Sequence, residues 1–142
     1  MKKEFIQRIL VPIDGSAHSS QAVLSAIQIA EKFTAAIYFL HVKDIHTAGD
    51  DVYLVDDVLA ANDQIAQSII QSTLEKVPQE ISSYSRILYG HPAKTILTYA
   101  NEINADLLIM GSRGLGKIKS IVLGSVSQEV LNQIKIPVMI CK

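Results

Sequence analysis

The sequence predicts an α/β fold: an open, mainly parallel five-stranded sheet with helices on both faces. Three observations carry this. Short, nearly continuous apolar runs such as "RILVPID" and "ADLLIMG" have the composition of strands buried on both faces. Between them lie longer stretches whose apolar residues recur at helical spacing, and that alternation implies right-handed crossover connections. A chain of 142 residues, 49% of them hydrophobic, has ample material for one core, and no linker, repeat or low-complexity tract divides it, so residues 1–142 are expected to form a single domain.

The first strand is expected from Arg8 to Asp14, where Asp-Gly-Ser signals a turn. Ala22, Val23, Ala26, Ile27, Ala30 and Phe33 mark a helix from Ser16 to Phe33, with serines available to cap its start. "AAIYFLHV" predicts a second strand from Ala35 to Val42, and the polar residues 43–54 predict a loop. Val55, Val58, Leu59, Ile65, Ile69, Leu74 and Val77 outline a long amphipathic helix that must stop near Pro78. A strand from Tyr84 to Tyr89 follows, then a helix with Pro92 in its first turn and a stripe of Ile96, Leu97, Ala100 and Ile103. A fourth strand is expected at Ala105–Gly111, a helix at Ser125–Ile134, and a last strand at Pro137–Cys141.

Composition excludes several classes of function. The formal net charge is −1, so no global basic field would hold the chain on nucleic acid or an anionic membrane. Cys141 is the only cysteine, which rules out an internal disulfide and suits a reducing cytoplasm. Glu4, Gln7 and Arg8 interrupt the apolar residues near the start, so no signal-peptide core is expected there, and no apolar run approaches a membrane span. His18, His41, His46 and His91 fall in different elements without ligand spacing, and no permanent metal site is expected. Asp50, Asp51, Asp56 and Asp57 suit the solvated start of the long helix. Cys141 itself, in an apolar strand, is expected to be a small buried hydrophobe.

Ligands of open α/β sheets gather beyond the carboxyl ends of the strands, which directs attention to residues 12–16 and to the segment from Met110 onward. "GSRGLGKIKSIVLGS", residues 111–125, concentrates four glycines and three cations. It begins like a P-loop, but Ile118 stands where a magnesium-binding hydroxyl belongs. As a dinucleotide motif it fails at Lys119, which replaces the third glycine, and residues 11–19 lack the Ser-Gly-Gly-x-Asp-Ser loop of adenylate-forming pyrophosphatases. Physically, Gly111 and Gly114 remove side chains where backbone N–H groups would approach phosphate. Gly124-Ser125 adds donors at a helix N-terminus, and Arg113, Lys117 and Lys119 supply positive charge.

The spacing Gly111-x2-Gly114-x9-Gly124-Ser125, with "VPIDGS" at the start and this layout, resembles the ATP-binding branch of the universal stress protein family over the whole chain. The resemblance implies a Rossmann-like sheet of the adenine nucleotide alpha hydrolase type, in strand order 3-2-1-4-5. It implies a site for ATP, ADP or AMP, with or without Mg²⁺, made by Pro12, Asp14, Val42, Met110, Gly111, Arg113, Gly114, Gly124, Ser125 and Val126. Asp14 would face the ribose and adenine, and Pro12 and Val42 would line the adenine pocket. It also implies a homodimer in which the Val138–Cys141 edges pair antiparallel, with Lys142 discouraging longer stacking.

Plainer roles stand beside these. Ser125 opens a Ser-Val-Ser-Gln capping box and could serve only as a cap, Asp14 could only form an Asx turn, and Pro12 and Val42 could be ordinary core. With no constellation of base, nucleophile and metal, the expected function is a nucleotide-dependent stress-response regulator with slow or absent hydrolysis. The alternatives are a slow Mg²⁺-dependent ATPase or nucleotide hydrolase, and an interaction module indifferent to nucleotide.

Overall fold

The computed structural model describes residues 5–44, 64–113 and 123–142. In chain order these form β1 (Arg8–Pro12), α1 (Ala17–Phe33), β2 (Ala36–Lys43), α2 (residues 64–74), β3 (Ser83–Tyr89), α3 (Pro92–Glu102), β4 (Leu107–Gly111), α4 (Ser125–Gln133) and β5 (Val138–Cys141). The five strands make one parallel sheet in the order β3-β2-β1-β4-β5. The expected positions Val55, Val58 and Leu59, the aspartates at 50, 51, 56 and 57, and His46 lie outside the described residues, as does most of the expected 43–54 loop.

Strand β1 is the centre of the sheet, with Arg8–Pro12 beside Ala36–Leu40 on one side and Ile9 and Leu10 beside Leu107 and Leu108 on the other. Its side chains alternate between two cores. Ile9 and Val11 join Ile37, Phe39 and Ile109 under α1 and α2, where Ala22, Ala26 and Ala30 let α1 lie close to the sheet. Leu10 joins Leu40, Leu108 and Met110 under α3 and α4, against Ala93, Ile96, Tyr99 and Val130. Burial pushes the Tyr99 hydroxyl above its ordinary pKa, an effect that Arg86, lying 5.9 Å from the ring centre, opposes.

The element ends differ from the expected ones for local reasons. β1 stops at Pro12 because the chain then turns: Ile13 still donates its N–H to the Leu40 carbonyl (2.8 Å), but Asp14 Oδ1 accepts from the Ser16 N–H (2.9 Å). Gly15 stands in that turn at φ 83, a conformation that favours glycine. Ser16 then caps α1, its hydroxyl accepting from the Ser19 N–H at 3.2 Å. β4 begins at Leu107 because the Asp106 carboxylate is committed to the Gln7 and Arg8 N–H groups (2.9 and 3.0 Å). Pro137 has no N–H to donate, so β5 begins one residue later, although the Pro137 carbonyl accepts from Leu108. α2 gives way to turns ahead of Pro78, and α3 starts on Pro92 with His91 as its N-cap. Among the described residues no helix is long and apolar enough to cross a membrane. Cys141 is only half-buried, its thiol donating to Ser25 Oγ at 3.6 Å, so it is less enclosed than its apolar strand suggested.

Candidate functional site

Winding reverses between β1 and β4, and at that point the carboxyl ends of β1, β2 and β4 open into a cavity of about 550 Å³. That volume suits a small organic ligand. Its walls come from Pro12, Ile13 and Asp14 at and after the end of β1; Leu40, Val42 and Asp44 at and after the end of β2; Pro92 and Ile96 on α3; and Met110, Gly111 and Arg113 at and after the end of β4. Gly124, Ser125, Val126 and Ser127 close it with the start of α4. Nine of the ten residues singled out in the sequence thus face one space. The tenth, Gly114, lies outside the described residues, as do Gly116, Lys117 and Lys119.

The start of α4 is the most informative part of the wall. An α-helix leaves its first four N–H groups without intrahelical acceptors. Here the first of them, on the N-cap Gly124, donates to the Ser112 carbonyl (2.7 Å), and helical bonding begins with Gln128 N–H to the Gly124 carbonyl (2.9 Å). The N–H groups of Ser125, Val126 and Ser127 lie between, and among the described residues none meets an acceptor. The plainer alternative for Ser125, a capping box, does not hold: Gly124 is the N-cap, it has no side chain to cap with, and Ser125 is the exposed first helical residue. Ser127 is buried instead, its hydroxyl donating to the Gly111 carbonyl at 3.0 Å and fastening α4 to β4. A positively polarised helix end opening into a cavity, with three N–H groups that meet no acceptor among the described residues, is suited to an anion.

At the opposite wall, Asp14 forms the Asx turn through Oδ1 and also lines the cavity. Both readings of Asp14 are thus compatible, because Oδ2 makes no hydrogen bond among the described residues. His41 Nδ1 donates to the Ile13 carbonyl (2.8 Å), taking the acceptor that a regular ladder would offer to Val42. Because the Leu40 carbonyl points toward β1, strand alternation directs the Val42 main chain the same way, past the end of β1 and toward the cavity. Pro12 and Val42 are partly buried wall residues, whereas Met110 is 5% exposed and belongs to the core as well.

Gly111 has a different reason to be glycine from the one its motif suggested. A Cβ built there would stand 2.7 Å from the Cβ and 2.8 Å from the main-chain carbon of His18, so the missing side chain admits α1. Sequence reasoning passed over Ser19, Leu40, Asp44, Pro92, Ile96 and Ser127 as wall residues, and pointed to Ile13 only as part of the strand end at residues 12–16. Most carry core or capping patterns that hide a second exposure to the cavity. For Ser127 and Asp44 the only signal was proximity, two residues beyond Ser125 and Val42. Among the described residues no group of three or more His, Cys, Asp or Glu side chains is placed to hold a metal.

A parallel sheet with a ligand-sized crevice at the winding reversal, walled in part by the start of α4, defines an open α/β protein of Rossmann-like architecture. The sequence profile described as the universal stress protein family matches residues 6–142, and the chain belongs to that family. It is 32% identical to the stress response protein NhaX of Bacillus subtilis strain 168, over 95% of this chain and 97% of that one. It is 31% identical to the universal stress protein MJ0531 of Methanocaldococcus jannaschii, over 96% of this chain and 82% of that one. Among solved structures, UspA from Lactobacillus plantarum superposes with a TM-score of 0.88 at 24% identity, covering 99% of this chain and 100% of that one. A universal stress protein solved in complex with cAMP matches with a TM-score of 0.72 at 26% identity, over 95% of both chains. One from Archaeoglobus fulgidus, in complex with dAMP, shares the fold with a TM-score of 0.64 at 19% identity, over 99% of this chain and 100% of that one.

Proposed function

We propose that this protein is a regulator that binds an adenine nucleotide in the α4-walled cavity and works as a dimer, with hydrolysis slow or absent. The observation that carries the reading is the N-terminus of α4, whose three N–H groups meet no acceptor among the described residues and border a cavity with an apolar end and a carboxylate wall. The cAMP complex of a relative in fold and sequence supports it. The base lies against Pro12, Val42, Ile96 and Met110, with the Val42 N–H and carbonyl reading its polar edge. Asp14 Oδ2 accepts from ribose hydroxyls. Phosphate oxygens accept from the N–H groups of Ser125, Val126 and Ser127, and Arg113 meets the outer phosphates. Mg²⁺, where present, would neutralise phosphate charge.

Isothermal titration with ATP, ADP and AMP tests this. All three are expected to bind, and Arg113→Ala is expected to weaken ATP about tenfold while leaving AMP within about twofold, the value of one charge-assisted hydrogen bond to an outer phosphate. Absence of binding by all three would end the nucleotide reading. Equal weakening of ATP and AMP would mean that Arg113 organises the loop instead of meeting the triphosphate.

The dimer follows from β5, an edge strand of apolar residues in which Met139 is 39% exposed. Pairing of two such edges across a two-fold axis covers both. Sedimentation is expected to give a dimer at micromolar concentration; a strict monomer with and without ATP would overturn this.

A further inference from the structure

Ser112 is 6% exposed and sits between two cavity residues, Gly111 and Arg113. Its three polar groups go to three different elements. The N–H donates to the Cys141 carbonyl at the end of β5 (2.7 Å), and the carbonyl accepts from Gly124, the N-cap of α4 (2.7 Å). The hydroxyl shares a hydrogen bond with His18 Nδ1 in the first turn of α1 (2.7 Å). A residue held at all three groups cannot rotate without breaking a buried bond. Gly124 hangs from its carbonyl, so the position of the bare α4 end depends on how Ser112 is held. The two main-chain bonds require only that the chain be there. The bond to His18 requires these two side chains.

We propose that His18 and Ser112 are a positioning pair: by locking the Ser112 peptide they hold the α4 N-terminus at the distance from β1 that a bound phosphate needs. This rests on the nucleotide reading above. Neither side chain contacts the ligand. Each acts through the Ser112 carbonyl and the Gly124 N–H. Removing the pair should therefore cost phosphate affinity selectively, whereas a loss of overall stability would affect every ligand alike.

The test compares wild type with His18→Leu, Ser112→Ala and His18→Asn, whose side-chain amide can place a hydrogen-bonding atom where the imidazole Nδ1 stands. Titration with ATP, AMP and adenosine is combined with amide exchange of the ligand-free proteins. The first two variants are expected to weaken ATP and AMP about tenfold and adenosine by no more than about twofold, with exchange of the Gly124 amide about tenfold faster and that of Leu108 unchanged. His18→Asn is expected to restore both. Equal losses for adenosine and ATP, no loss at all, or no recovery in His18→Asn would overturn the pair. A wild type that binds no ATP removes the nucleotide reading and, with it, the phosphate role of the pair. Exchange at Gly124 then still decides whether the pair holds the helix end, and an unchanged rate in both variants rejects that as well.

Discussion

Gly111→Ala is expected to destabilise the protein by about 3 kcal/mol and Gly111→Val by more, an overpacking cost at the upper end of the usual range. The cause is backbone, not nucleotide. The new Cβ would stand 2.8 Å from the main-chain carbon of His18 and 3.0 Å from its carbonyl oxygen, and neither can swing aside as a side-chain tip can. Relief requires α1 to back away from β4, and α1 carries Ala22, Val23, Ala26 and Ala30 into the core. Urea denaturation checks this. The midpoint should fall with an unchanged slope, in ligand-free protein as much as in protein with ATP present. A change within about 0.5 kcal/mol, the range of ordinary surface substitutions, would mean that α1 does not press on this glycine.

Gly124→Val should act the other way round, harming binding more than folding. Its Cβ would meet the Arg113 Cα at 3.3 Å, a tight contact that a shift of a few tenths of an ångström relieves, and touch the Ser112 carbonyl oxygen at an ordinary 3.5 Å. That shift moves the bare helix end itself. ATP, ADP and AMP are all expected to weaken by about ten- to a hundredfold, the loss of one to two good hydrogen bonds, with stability reduced by about 1 kcal/mol. Titration with the three nucleotides and a melting curve measure both. If affinity for all three survives, the glycine segment is only a turn and the phosphate site is elsewhere.

The two glycines also show how far the sequence could be read. Their spacing pointed to one cavity, because Gly111 and Gly124 both line it. The spacing could not say that one glycine answers to a helix packed across the sheet and the other to a neighbouring peptide, because those contacts join residues far apart in the chain. The strands were legible because buried parallel strands need continuous apolar runs, and Ile9, Leu10 and Val11 are fully buried. Their ends were not. β1 and β4 are trimmed by side chains, Asp14 and Asp106, whose bonds depend on the folded arrangement. The capping alternative for Ser125 could not be settled from the sequence, because the capping-box pattern is identical whether the helix starts on Ser125 or one residue before it. What decided the matter was Gly124 turning its N–H to Ser112, a contact invisible to local pattern.

One of the bonds at Ser112 reaches beyond the pocket. Its N–H is held by the carbonyl of Cys141, the last residue of the strand whose outer edge would pair in a dimer. The run from β5 through the Ser112 peptide to the Gly124 N–H is thus two hydrogen bonds long, and it connects the subunit edge with the wall where phosphate would rest. Where binding and association are coupled through such a connection, the coupling is reciprocal. By whatever factor a filled pocket tightens subunit association, association tightens the pocket by the same factor. The concentration of the protein would then set its sensitivity to nucleotide as much as the nucleotide sets its assembly.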